Sequence, residues 1–172
     1  MASLMEVLID VLEQENQEYE KLLSLSMRKT SVIVSEDLAE LTKITDEEQV
    51  IVSRINHLDS QRYEAVSDIA DVLNKDVDKL KIVDLIKMLA GRTEEQEKLA
   101  AVFDRLRENV RGVKRANEQN GELIRDALEL VQFNMNVLQS MNKAPESANY
   151  NRGAYNTGDM IGTSHMTFDA KQ

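Results

Sequence analysis

The sequence contains no cysteine, which excludes disulfides, thiolate metal sites and cysteine nucleophiles. It also lacks tryptophan and has only four tyrosines and three phenylalanines, so Leu, Ile, Val and Met make up most of its apolar bulk. Aromatic side chains supply much of the area that seals a rounded core. One proline and six glycines in 172 residues leave few positions where a strand-rich fold could turn. These scarcities favour an all-α protein, which we expect to be an elongated antiparallel bundle of long helices with a thin core.

Long apolar runs are also missing. No segment approaches the roughly 18 consecutive apolar residues that indicate a membrane-spanning helix. The N-terminal sequence MASLMEVLIDVLEQENQEYE has no basic region of the kind that opens a secretory signal, and its acidic residues are untypical of a transit peptide. We therefore expect a cytoplasmic protein without stable membrane insertion.

The net charge of −10 disfavours general binding to nucleic acid, because its phosphates must be neutralised by Lys and Arg. The excess acid lies in residues 1–75, which carry sixteen acids and seven bases. A locally basic stretch follows at Arg105, Arg107, Arg111, Lys114 and Arg115. We expect it to face the acidic first half within one bundle, the alternative being contact with an acidic partner or nucleic acid.

Two long helices are predicted in the first half. In the first, from about Ser3 to Thr30, apolar residues recur at helical spacing, and Ser3 with Glu6 forms a capping-box pattern. The second, from about Ser35 to Leu73, has an apolar residue every seven positions, flanked by further apolar lines. A face this wide covers two neighbouring helices, which favours a bundle over a two-stranded coiled coil. The residues of the repeat are Ile44, Ile51, Leu58, Ala65 and Val72.

A short amphipathic helix and a very long one are predicted next. The short helix covers about Lys79 to Leu89, and Gly91 is expected to close it in a left-handed cap. Thr93 opens a TEEQ capping box, from which about fifty residues continue without proline. Asn117 and Asn120 occupy consecutive positions of the apolar seam, where a buried amide usually specifies register.

The composition changes after Lys143, so we predict a bundle domain at 1–142 and a flexible tail at 143–172. The alternative to ordinary disorder is a tail that docks in a groove through Tyr150, Tyr155 and Phe168.

No pattern in the sequence predicts catalysis. His57 and His165 have no metal-ligand spacing, HExxH is absent, and the glycines of the tail make no phosphate loop. GxSxG is also missing. We expect no enzyme activity, no metal and no cofactor.

The last third of the long helix, ALELVQFNMNVLQSM, carries apolar residues around much of its circumference. The first two helices are shorter and can leave this end uncovered. We interpret it as a groove that accepts a partner's amphipathic helix, with burial under the first helix as the alternative.

The chain resembles the FlgN family of flagellar export chaperones over essentially its whole length. The resemblance rests on two long helices, a docking helix with Leu80, Val83, Ile86 and Leu89, and the Asn-rich segment ANEQNGELIRDALELVQFNMNVL. The ending Thr167-Phe168-Asp169-Ala170-Lys171 is similar to that of Gram-positive members.

The resemblance implies a cytosolic chaperone that binds the C-terminal helical region of hook-filament junction proteins, which are hook-associated proteins. It would prevent their premature assembly and deliver them to the flagellar type III export apparatus, without a cofactor. By position it implies client contacts at Asn117, Asn120, Ile124, Leu128, Val131, Met135 and Leu138. The alternative function is a coiled-coil adaptor or scaffold that forms a permanent homodimer, and a monomer or a homodimer is compatible with the sequence.

Overall fold

The computed structural model describes residues 3–143, which form four α-helices and one short 3-10 turn. Helix α1 is Leu4–Val34, α2 is Leu38–Val72, α3 is Ile82–Met88 and α4 is Thr93–Asn142, while the 3-10 turn Val77–Lys79 precedes α3. Within these residues there is no β-strand. The all-α prediction of three long helices and one short helix is confirmed.

The start of α1 is stabilised by the predicted capping box. The Ser3 hydroxyl accepts from the backbone N–H of Glu6 at 3.1 Å, and the Glu6 carboxylate accepts from the backbone N–H of Ser3 at 2.7 Å. Two backbone donors that a helix N-terminus leaves without partners are thereby satisfied.

Helices α1 and α2 both end in a turn that uses a left-handed residue other than glycine. After α1, Glu36 has φ 58°, and the backbone N–H groups of Glu36 and Asp37 donate to Ile33 and Val32. After α2, Asn74 takes the same position with φ 52°. This hydrogen-bond pattern is the Schellman motif, in which the left-handed position is usually glycine.

Two predictions about helix ends are wrong. The prediction of a left-handed cap at Gly91 fails because no glycine among the described residues has a positive φ. Helix α3 ends earlier, at Met88, and the chain leaves Leu89 in a turn closed by the Arg92 N–H. Thr93 is not an N-cap but the first helical residue, and the Arg92 carbonyl accepts from the Gln96 N–H at 3.0 Å.

Cross-helix contacts define the directions of the three long helices. Glu15 of α1 pairs with Arg62 of α2 at 3.4 Å, whereas Arg28, further along α1, pairs with Glu40, earlier in α2, at 2.7 Å, as expected for antiparallel helices. Between α1 and α4 the order is parallel, since Glu13 pairs with Arg105 at 2.7 Å while later residues of α1 contact later residues of α4. The first 131 residues thus contain a bundle in which α2 runs against both neighbours.

The bundle core consists of apolar side chains from all three long helices and α3. The seven-residue repeat of α2 is buried at its first four positions, whereas Val72 at the last is 74% exposed. One buried cluster combines Leu8, Leu12, Ala65, Val66, Ile69, Ala70, Leu80, Leu85, Leu89, Leu99, Val102 and Leu106, and the other Leu22, Leu25, Val32, Ile44, Ile51, Ile55 and Val113. The docking role predicted for the short helix agrees with the burial of Leu85.

The chain divides into two units, Met1–Val131 and Gln132–Gln172. This division lies earlier than the predicted boundary after residue 142, which instead coincides with the end of α4. The separation of a bundle domain from a flexible tail at 142/143 stays a prediction. Among residues 3–143, no helix combines the length and apolar character needed to cross a membrane.

Candidate protein-binding groove

The last third of α4 is apolar yet exposed. Its large apolar side chains are between 40% and 74% exposed, and those of the first unit, Leu128, Leu130 and Val131, are therefore not buried under α1. Exposed apolar surface of this kind on a folded protein usually marks an interaction site. The side chains are Leu128, Leu130 and Val131 in the first unit and Phe133, Met135, Val137, Leu138 and Met141 in the second.

Within the first unit, part of this surface forms a groove with the turn that joins α1 to α2. The groove has a volume of about 290 Å³. Helix α4 contributes residues at spacings of three and four, which place them on one face of the helix. The lining residues are Val32, Ile33, Glu36, Asp37, Leu38 and Leu41 from the turn region and Ile124, Ala127, Leu128 and Val131 from α4.

The tight turn explains why one wall of the groove consists of α1 and α2 together. Only Ser35, Glu36 and Asp37 separate the two helices. Asp37 accepts from the backbone N–H of Glu40 at 3.0 Å and so caps α2. Because α2 starts at once, Leu38 in its first turn lies beside the groove and is 75% exposed. The connection between the two helices therefore presents the acidic side chains of Glu36 and Asp37 next to the apolar side chain of Leu38.

Three of the predicted client-contact residues, Ile124, Leu128 and Val131, are brought together in this groove. Met135 and Leu138 belong to the second unit, where they are 49% and 58% exposed. Client contact by these five residues stays a prediction. Tyr150, Tyr155 and Phe168, predicted to dock the tail, lie outside the described residues.

The two predicted asparagines lie at the interface of α1 and α4 rather than in the groove. The Asn120 side-chain amide is 3% exposed, donates to the Ser26 carbonyl at 2.8 Å and accepts from the Thr30 hydroxyl. Asn117 is exposed and accepts from the Ser26 hydroxyl at 3.3 Å. This placement favours the register role for Asn120, and client contact by either asparagine stays a prediction.

Residues near the α1–α2 turn were missed as part of the site. Val34 and Leu38 are 69% and 75% exposed, and Leu38 lines the groove. A signal was present, since these apolar residues flank a segment of turn-forming polar residues. Periodicity could not connect that signal to Ile124, because nothing in the pattern of one helix indicates which part of another lies opposite.

A buried carboxylate, that of Glu15 on α1, lies at the contact between α1 and α2. The Glu15 side chain is 2% exposed and pairs with Arg62 at 3.4 Å, while Arg62 also contacts Asp59. Burial raises the pKa of Glu15 above its ordinary value of 4.5, partly offset by Arg62. Burial likewise raises the pKa of Tyr19, and the Glu15 charge adds to this shift. Among residues 3–143, no group of three or more His, Asp or Glu could hold a metal ion.

Comparisons with known proteins identify the family of the chain. A family model described as FlgN protein matches residues 1–157. The chain belongs to the FlgN family. It is also 26% identical over 154 residues to the uncharacterized protein YvyG of Bacillus subtilis (strain 168), with 89% of each chain covered. No solved structure matches the chain. FlgN proteins form a family of flagellar export chaperones, which gives this member a general role in flagellum biogenesis and protein export.

Proposed function

We propose that this FlgN-family protein is a cytoplasmic chaperone that binds the C-terminal helical region of hook-filament junction proteins. The groove between the α1–α2 turn and α4 takes the apolar face of a client helix. Covering that face prevents premature assembly, and the complex delivers the client to the flagellar type III export apparatus.

The observation that carries the proposal is the exposure of apolar side chains on α4. Leu128 and Val131 are 64% and 54% exposed although each occupies an apolar position of an amphipathic helix. An amphipathic helix laid in a groove contacts it through side chains spaced by three and four residues, and the groove presents apolar groups at the same spacing. Binding to the unassembled client stabilises that form by mass action.

The test uses Val131→Asp, with Val110→Asp as the matched control. Val110 lies on the same helix, is 39% exposed and does not line the groove. A side chain at the centre of a helix interface contributes about 2 kcal/mol or more, so Val131→Asp should weaken binding of a C-terminal client peptide about 30-fold. Val110→Asp should bind normally, and both variants should keep the helix content and melting temperature of the parent.

Equal weakening by the two variants, or loss of folding in Val131→Asp, would contradict the groove assignment. Light scattering addresses the scaffold alternative. A chaperone forms a defined mixed complex with the client peptide, whereas a homodimer that neither dissociates nor responds to the peptide favours a scaffold.

The C-terminal tail is proposed to cover the groove in the free protein through its aromatic residues Tyr150, Tyr155 and Phe168. Deletion of residues 147–172 should then tighten client binding, as measured by titration calorimetry. Unchanged or weaker binding would show that the tail does not compete.

A further inference from the structure

The groove carries charge of one sign. Its two charged lining residues, Glu36 and Asp37, are both acidic, and no Lys or Arg lines it. The segment of α4 that lines the groove, residues 124–131, also contains Arg125, Asp126 and Glu129, whose side chains do not line it. A helix that enters this groove therefore meets carboxylates beside the apolar surface.

Glu36 is the more available of the two lining carboxylates. It is exposed and forms no hydrogen bond or ion pair through its side chain within residues 3–143, whereas the Asp37 carboxylate already caps α2. The Glu36 carboxylate is therefore free to accept from a partner without loss of an existing contact.

The backbone of Glu36 supports a role for its side chain. With φ 58° it occupies a position where glycine is the usual residue and where a side chain is unfavourable. The corresponding position after α2 is Asn74, a residue type that tolerates this conformation better. Residues held in sparsely populated backbone conformations cluster at functional sites.

We propose that Glu36, assisted by Asp37, makes the groove selective for a client helix with Lys or Arg beside its apolar stripe. This inference rests on the proposed function, because the occupant is the client's C-terminal helix. Charge complementarity across an interface contributes mainly to specificity and association rate. The apolar surface of the groove holds the client helix. The carboxylates favour a helix whose apolar stripe is flanked by Lys or Arg over one whose stripe is flanked by Asp or Glu.

The experiment compares Glu36→Lys with Glu47→Lys. Both variants change the net charge equally, and Glu47 is exposed on α2 away from the groove. Lys has the same left-handed backbone cost as Glu, so folding should be unchanged by circular dichroism and melting. Glu36→Gln is the second variant, because it removes the charge while keeping the size of the side chain.

The probe is a synthetic peptide of the C-terminal segment of a hook-associated protein from the same host, and affinity and association rate are measured at low and high salt. Removal of one exposed charge pair should weaken binding about two- to five-fold in Glu36→Gln. Glu36→Lys should weaken binding further, chiefly through a slower association. High salt should reduce both differences, and Glu47→Lys should bind like the parent.

Two failures are distinguishable. If the parent protein does not bind the peptide, the proposed function fails and the inference with it. If the parent binds and Val131→Asp does not, but Glu36→Lys matches Glu47→Lys, the groove recognises apolar surface alone and only the charge selectivity is overturned. A peptide whose basic residues are replaced by Glu should bind Glu36→Lys better than the parent, and failure to do so also refutes the selectivity.

Discussion

The two glycines inside α4 allow a sharp test of how closely α1 approaches it. A Cβ added at Gly121 meets no atom within 4 Å, whereas a Cβ at Gly112 lies 3.2 Å from Cδ1 and Cδ2 of Leu23 on α1. Both positions are in the interior of the same helix, so both substitutions gain the same intrinsic helix propensity. The difference between the two alanine variants therefore reports the contact with Leu23.

Glycine costs about 1 kcal/mol relative to alanine in a helix interior. Gly121→Ala should raise the free energy of unfolding by this amount, which is about 2–4 °C in melting temperature for a chain of this size. At Gly112 the Leu23 side chain must move by a few tenths of an ångström, and a distorted rotamer costs about 0.5–1.5 kcal/mol. The gain and the cost then nearly cancel, so Gly112→Ala should leave stability close to that of the parent.

Urea unfolding followed by circular dichroism measures both variants against the parent. Equal gains in the two variants would refute the close approach of α1 and α4 at Leu23. A loss of stability in Gly121→Ala would show that this face of α4 is covered.

Three further predictions concern charges and polar groups. Glu36→Gly should raise the free energy of unfolding by about 1 kcal/mol, because glycine adopts the left-handed backbone conformation without the steric cost of a side chain. Asn74→Gly should raise it less, and equal gains in urea unfolding would contradict this expectation. Glu15→Gln should stabilise the protein at neutral pH, because the raised pKa of Glu15 means that its ionised form costs stability above that pKa. The gain should decline as pH falls through the raised pKa and vanish below 4.5, so a gain independent of pH in thermal melts would refute the assignment. Asn120→Ala should destabilise by about 1–3 kcal/mol, since it removes the buried amide that donates to the Ser26 carbonyl and accepts from the Thr30 hydroxyl. The exposed Asn117→Ala should cost little, and similar losses would contradict the difference in burial.

Periodicity within single helices predicted much of the fold. The seven-residue repeat from Ile44 to Ala65 is buried as its spacing requires, because an apolar line at helical period must face a neighbour. The Ser3 capping box was also readable, since both of its partners lie within three residues of each other. The exposed apolar end of α4 followed from comparing helix lengths.

Features that depend on where helices stop were harder to predict. Gly91 suggested a left-handed cap, but the left-handed residues are Glu36 and Asn74. Which residue takes that conformation depends on where packing ends each helix, and tertiary contacts can impose the conformation on a residue with a side chain. Val72 continues the repeat of α2 yet is 74% exposed, because it is the last residue of the helix.

The amino-acid sequence by itself determined the helices and their apolar faces, and it placed Ile124, Leu128 and Val131 on one face of α4. These features depend on residues that are only a few positions apart in the chain. The groove depended on tertiary structure. It required α4 to lie parallel to α1 in the register held by Asn120 and Ser26, so that Ile124 meets the α1–α2 turn and Leu38. That register comes from packing and hydrogen bonds between residues more than ninety positions apart, which no helical period encodes.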